Sequence, residues 1–507
     1  MPSLAAQVEH APDEIARLSV RVALLEEENR WLKQQLFGRS SEKRSAEDIA
    51  PDQARLIFNE AEALTPAADT AAETLTIPAH ERKKRGRKPI PAELPRIEVI
   101  HDLPDGEKTC PHDGTTLMRI GEETAEQLDY VPAKLRVIRH VRLKYACPGC
   151  RQGVKVAVVP AQLLPKSKAS PGLLAHITTA KYVDGLPLHR QERQFARLGI
   201  ELPRATMARW MIELGRTRVV PLVNLLNDHL LDAALVHMDE TTVQVLKSAK
   251  APSTDHWMWV RAAGPPGRRM VLFDYDPSRG GQVPKRLLAG FEGILLTDGY
   301  EPYDAVVQAQ SLVHAGCLAH VRRRFEDARK VQTAVGADSH ARSALDYLGE
   351  LYRIERTIKT AEAEERLAVR TARSAPIMAS FHAWLEALAA QVLPQSALGK
   401  AVHYTLRQWP KLCVFLTYPA VPLDNNRCEN AIRPFVVGRK AWLFSDTTAG
   451  ATASANLYSL VETARANGIE PHGYLTHLFT HLPAAGAVED FEALLPWNVR
   501  AELDTPR

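Results

Sequence analysis

A chain of 507 residues exceeds one ordinary domain and suggests three or four. With 45% hydrophobic and 24% charged residues it has a soluble globular composition, which excludes a disordered chain, and no apolar run reaches bilayer-spanning length. A net charge of +4 does not announce a nucleic-acid partner, so any such signal must be local. With no charged-then-apolar leader at the N-terminus, the expectation is a cytoplasmic, nucleoid-associated protein with no membrane partner.

In chain order, the first element is a heptad pattern over 13–36: Ile15, Leu18, Val22, Leu25, Asn29, Leu32 and Leu36 recur at spacings of three and four. One narrow apolar stripe on a helix is what a coiled-coil seam requires, and a buried Asn at an a-type position pairs best with its twin. Residues 13–40 are therefore expected to dimerise the chain, although a lone amphipathic helix would show the same stripe. Residues 41–97 read as a linker carrying a basic segment at 82–89. There a glycine between two arginines lets the backbone lie close to a groove floor, so Arg85, Arg87 and Lys88 are candidate phosphate or minor-groove contacts in an AT-hook-like segment.

Residues 98–165 read as short strands around a cysteine site, with TCPHDGTTL near 110 and LKYACPGC ending at Cys150. Three of the six cysteines fall here, and two knuckles joined by strand resemble the halves of a zinc ribbon. The ligand set would be Cys110, Cys147 and Cys150, completed by His112 or by Asp113, which stands where the first knuckle's second cysteine belongs. The competing expectation is a ribbon without its metal. Residues 166–230 are helical by period. LPLHRQERQFARLG predicts one amphipathic helix with Leu188, Phe195, Ala196 and Leu198 on or near its apolar face, and ATMARW opens another. Two short helices around a glycine-containing turn form a helix-turn-helix pattern, which makes Arg204 and Arg209 candidate DNA contacts.

From about 234 the period changes. AALVHMDETTVQVL, HWMWVRAAG and RRMVLFDYD are three consecutive strand-type runs, followed by alternating helices and strands, among them GILLTDGY and SLVHAGC. This is the order of an RNase H-like α/β core with a mixed sheet. It is expected over 231–330 and 413–450, with an almost wholly helical stretch between and a C-terminal helical element at 451–507. Asp239 and Asp298 each end an apolar run, where a carboxylate would be half desolvated unless a cation met it. Glu429 follows in a helix-like segment, sharing a face with Asn426 and Arg433. Three oxygen ligands of this kind suit magnesium or manganese, two ions per site, in phosphoryl transfer.

LFGRSSEK, RKKRGRKP, LPLHRQERQFARLGIEL, HMDET, LTDGY, CLAHVRRRF and DNNRCENAIRPFVVGRKAWLFS together resemble the transposase of the insertion sequence 66 family, and the likeness continues to LYSLVETARANGIEPHGYL at 457–475. The resemblance implies a DDE transposase with Asp239, Asp298 and Glu429 as its metal-binding triad, acting on terminal inverted repeats and target DNA. It also implies that 331–412 is a helical insertion between the second and third acids, and small accessory proteins of the same element. The missing knuckle cysteine departs from the pattern and bears on the zinc, not on the catalysis. His320 and Arg323 after the second acid, and Arg433, Arg439 and Lys440 after the third, are candidate phosphate contacts; Trp442 suits either base stacking or a core. Two competing classes remain in view: a transposase-derived DNA binder that no longer cuts, and a nuclease that cuts without joining.

Overall fold

The computed structural model describes residues 18–19, 21–22, 25–26, 29–30, 33, 135–145, 155–251, 253–331 and 339–503. The chain forms two units, residues 41–138 and the remainder; of the first only 135–138 are described. Arg85, Arg87, Lys88, Cys110, His112, Asp113, Cys147, Cys150 and heptad positions Ile15, Leu32 and Leu36 lie outside the described residues. The described positions between 18 and 33 are helical, and Leu18, Val22 and Leu25 of the apolar stripe are exposed. Two short antiparallel strands, β1 (Lys144–Tyr145) and β2 (Lys155–Val156), flank the CPGC segment.

Helix α1 (Pro171–Tyr182) starts where Ser170 accepts a hydrogen bond from the Leu173 N–H and proline fills the first turn. Helix α2 (Leu188–Arg197) ends at Gly199, whose φ of +81° only glycine adopts without strain. Helix α3 (Arg204–Glu213) follows, its first N–H bonded to Glu192 of α2 at 2.9 Å. The expected apolar face of α2 needs correction. Its buried residues are Gln191 and Phe195, while Ala196 and Leu198 are exposed. Gln191 can be inside because its amide donates to the carbonyls of Ile177 and Leu186, a pairing that hydrophobic periodicity cannot reveal. One wide turn, Leu214–Arg218, then leads into α4 (Val220–Leu231).

Next come β3 (Leu235–Val243), β4 (Val245–Lys247), β5 (His256–Ala263), β6 (Met270–Asp276), α5 (Gln282–Leu287), β7 (Ile294–Thr297), α6 (Pro302–Gln310), β8 (Val313–Gly316) and α7 (Leu318–Val331). Five of these strands make one mixed sheet in the order β6-β5-β3-β7-β8. β3, β5 and β6 are antiparallel; β3, β7 and β8 are parallel. The apolar runs that read as strands are buried on both faces, with Trp259, Phe273, Leu295 and Leu296 among the fully enclosed side chains. The outer edge of β6 is closed by a helix. Ser459 and Thr463 accept hydrogen bonds from the Phe273 and Val271 N–H groups at 2.8 and 3.1 Å. The Thr463 hydroxyl also returns a bond to the Val271 carbonyl at 3.0 Å, while the Ser459 proton goes mainly to Ala455 of its own helix, so the edge N–H groups are satisfied without a sixth strand.

The segment expected as an insertion contains α8 (His340–Thr357), α9 (Ala363–Val369), α10 (Ala375–Ala389) and α11 (Ala397–Leu412). Of these, α8, α10 and α11 share a second hydrophobic core with Leu296 and Ala315 of the sheet. Buried Arg370 fastens this layer. Its guanidinium grips Glu355 through two bonds of 2.8 and 2.7 Å, and donates to the carbonyls of Phe415, Tyr418 and Val421. The chain then returns through α12 (Asn426–Trp442), β9 (Ser445–Thr447), which pairs with β4 in parallel, and α13 (Thr448–Ala466). Helices α14 (Pro471–His481), α15 (Val488–Ala493) and α16 (Pro496–Leu503) complete it. The boundary expected at 450/451 falls inside α13, the helix that carries Ser459 and Thr463.

Candidate functional site

Asp239 does not end its strand, as the apolar run suggested: β3 continues four residues beyond it to Val243. What ends there is parallel pairing, since β7 accompanies β3 only over Leu235–His237. Asp239 thus emerges beside the C-terminal end of β7, where Asp298 follows Thr297. The Asp298 carboxylate accepts the Tyr300 N–H at 2.9 Å, which fixes its side chain at the turn. Glu429 reaches the same place from the first turn of α12, a helix packed on β3 and β5.

Asp298 and Glu429 are both close enough to act on Asp239. Burial, then the neighbouring Glu240, Asp298 and Glu429 carboxylates, hold the Asp239 carboxyl well above the usual carboxylate range, against one opposing hydrogen bond from the Glu240 N–H. Glu429 Oε2 lies 3.4 Å from the Arg323 guanidinium, and Oε1 lies 3.7 Å from His320 Nδ1. Neither that Oε1 nor that Nδ1, both buried, has a hydrogen-bond partner. A gathering of carboxylates with an orphaned oxygen is a donor set that a divalent cation would satisfy.

Asn425, just before α12, ties the site together. Its side chain bonds the Met238 carbonyl at 2.9 Å and His237 Nδ1 at 3.0 Å, and its N–H donates to Cys317 Sγ at 3.2 Å. Burial pushes the Cys317 thiol up to about 12 and the His237 imidazole down to about 3. On the other face of β3, the buried carboxylate of Glu240 pairs with Arg279 at 2.7 Å and accepts from the Tyr303 hydroxyl at 2.6 Å. Arg279 is itself stacked between Trp257 and Tyr300. Sequence reasoning missed Glu240, Arg279, Tyr303 and Asn425. The one signal was the second acid in HMDET, which strand alternation sends to the opposite face.

The remaining candidates separate. His320 and Arg323 both face Glu429. Arg439 is turned inward onto the Thr242 carbonyl and hydroxyl, while Lys440 is exposed and Arg433 half-buried. Arg204 and Arg209 are exposed on α3, away from the acids in sequence and on another element. Trp442 packs edge-on against Phe435, with the Lys181 ammonium 5.2 Å from its ring, so it serves the core. Asp424, the nearest other acid in the third motif, accepts the Asn426 N–H and is engaged by the Tyr352 hydroxyl.

The fold and site define a multidomain α/β protein whose mixed sheet gathers carboxylates at the end of its parallel strands. The family follows from the chain itself: residues 166–453 match the model described as Transposase IS66 family, and this chain belongs to that family. Residues 107–151 match the zinc-finger binding domain of transposase IS66, 24–99 the Transposase C of IS166 homeodomain, and 459–497 the IS66 C-terminal element. Among similar proteins of Sinorhizobium fredii, the uncharacterized protein y4jD is 32% identical over 97% of this chain and 98% of its own length. The uncharacterized protein y4qI is 34% identical over 83% of this chain and 79% of its own. Among the described residues, no helix is long and apolar enough to cross a membrane.

Proposed function

We propose that this transposase is a DDE enzyme with an RNase H-like core, which binds the terminal inverted repeats of its element and cuts and joins DNA through Asp239, Asp298 and Glu429. One observation carries the reading: at the end of the β3–β7 parallel pair the Asp298 and Glu429 carboxylates both act on the buried Asp239, and one Glu429 oxygen is left without a hydrogen-bond partner. The sheet order of three antiparallel strands followed by two parallel ones supports the core assignment.

Asp239, Asp298 and Glu429 would hold two magnesium or manganese ions, since hard oxygen donors suit them and the orphaned Glu429 Oε1 accepts one more partner. Such ions, when bound, offset the charge that develops on the phosphate and on the attacking and leaving oxygens. The chain's own part is positioning. Asn425 holds the start of α12 against β3, which sets Glu429 opposite Asp239. The Tyr300 N–H keeps Asp298 turned into the site, and Arg323 orients Glu429 from the outside while remaining exposed enough to meet a DNA phosphate.

DNA ends would be recognised away from the acids, by Arg204 and Arg209 on α3, by the basic segment around Arg85, Arg87 and Lys88, and by the 107–151 domain, with zinc held by Cys110, Cys147 and Cys150 together with His112 or Asp113. Exposed Leu18, Val22 and Leu25 suit pairing of two chains across two DNA ends, with small accessory proteins of the element as further partners and the nucleoid as the place of action. The test is incubation of the full-length chain and magnesium with end-labelled terminal-repeat DNA and a target plasmid. The expected product is label covalently joined to target. Label that is cut but never joined would indicate a nuclease, and intact bound label a binder; either result refutes the proposal.

A further inference from the structure

The acid cluster has one corner that is not built of oxygen. Cys317 lies between β8 and α7, and His320 lies three residues later in the first turn of that helix. The Leu318 N–H bonds the Leu423 carbonyl at 2.8 Å, which draws this turn against the segment leading into α12 and therefore against Glu429. Ligand atoms of Cys317, His320 and Glu429 all lie within 4.8 Å of one another. His320 Nδ1 and Glu429 Oε1 face each other at 3.7 Å, too far for a hydrogen bond, and both are buried without a partner.

Two such atoms need a shared proton or a shared cation, and the third group of the set favours the cation. Around a tetrahedral zinc with bonds of about 2.0–2.3 Å, neighbouring ligand atoms sit roughly 3.3–3.6 Å apart, so side-chain rotations of about an ångström close this set. The sulfur already accepts the Asn425 N–H at 3.2 Å and the His320 backbone N–H, the kind of outer hydrogen bond that supports a metal thiolate. A mixed sulfur, nitrogen and oxygen set selects zinc over magnesium.

We propose that Cys317, His320 and Glu429 form a zinc site at the edge of the acid cluster, with its fourth position open to water or a phosphate oxygen. Binding releases the thiol proton to solvent. Because Glu429 is shared, zinc there withdraws the third acid from the triad and holds the enzyme off; this consequence rests on the DDE reading, whereas the site itself does not.

Cobalt(II) is the probe, because it takes tetrahedral zinc sites and its thiolate bond absorbs in the near ultraviolet. Full-length wild type, Cys317→Ser, His320→Asn and Asp239→Asn are titrated with cobalt(II) under reducing conditions. The cysteines of the 107–151 domain contribute equally to all four, so the readout is the difference. Wild type should bind about one more ion per chain than either Cys317→Ser or His320→Asn, with a thiolate band in the wild type minus Cys317→Ser spectrum. Asp239→Asn should keep that band, although the DDE reading has it lose strand transfer, so the two proposals fail separately. Equal uptake and superimposable spectra for wild type, Cys317→Ser and His320→Asn would overturn the site.

Discussion

The Tyr404 hydroxyl lies 2.6 Å from the position that a β-carbon on Gly299 would occupy. Tyr404 belongs to α11 of the helical layer, and Gly299 directly follows Asp298, so this layer bears on the loop that presents the second acid. The ring cannot easily retreat, because the Arg324 guanidinium stacks on it at 3.9 Å. Gly299→Ala must therefore displace the ring or the Asp298 turn. Strand transfer should fall by at least about tenfold, since an ångström of misplacement can cost on the order of a hundredfold. Adding Tyr404→Ala should recover part of the loss. Strictly additive effects of the two substitutions would show that the residues do not collide.

Arg370 makes a second link between the helical layer and the return to α12. All of its bonds are internal, to Glu355 and three backbone carbonyls, and none faces solvent. Arg370→Ala leaves Glu355 and those carbonyls without their donor and should cost about 3–5 kcal/mol. Arg370→Lys should recover little of this, because an ammonium cannot reproduce the planar fork. Urea unfolding of the two variants measures it; a wild-type midpoint for Arg370→Lys would mean that charge alone suffices.

His314 gives the fold a pH dependence. Burial, and secondarily the Lys411 ammonium, lower its pKa from 6.5 to about 4, with the Asp304 carboxylate opposing. The unfolded chain therefore takes up this proton first as pH falls. The contribution is present in full above pH 6.5, declines below it and is gone by about 4, a loss of about 3 kcal/mol. His314→Gln should flatten the urea midpoint against pH across this window. An unchanged slope would assign the acid sensitivity to other groups.

The strands and the two aspartates were legible because β3, β5, β6, β7 and β8 are apolar runs bounded by turn residues, and a charge inside such a run needs a reason. Asp239 reads as a strand tip because sequence shows where apolarity stops, not where a neighbouring strand stops pairing. Asn425 and His237 lie 188 residues apart, so no local pattern could join them. The role of α13 was hidden for a different reason: the side chains that close the sheet edge, Ser459 and Thr463, are polar residues, which a search for apolar stripes discards.

DNA binding should divide between elements. Arg209 is exposed on α3, and Arg209→Ala should cost cognate DNA about 1–3 kcal/mol and relax preference at one position. Arg85→Ala with Arg87→Ala should weaken all DNAs alike and lower the salt slope by about 2. Fluorescence anisotropy across a salt series on cognate and scrambled DNA separates the two. A purely cognate-specific defect in the Arg85/Arg87 variant would contradict the division.

The most direct test of the whole account is strand transfer of end-labelled terminal DNA by wild type, Asp239→Ala, Asp298→Ala, Glu429→Ala and the triple variant, alongside their DNA affinity. If the proposed triad works as a unit, each single substitution should abolish cutting and joining nearly as completely as the triple one, while affinity for terminal DNA stays within a few-fold of wild type. Magnesium or manganese should support the wild type, and calcium should permit binding with little chemistry. Joined product from Glu429→Ala at a rate near wild type would contradict the account at its centre.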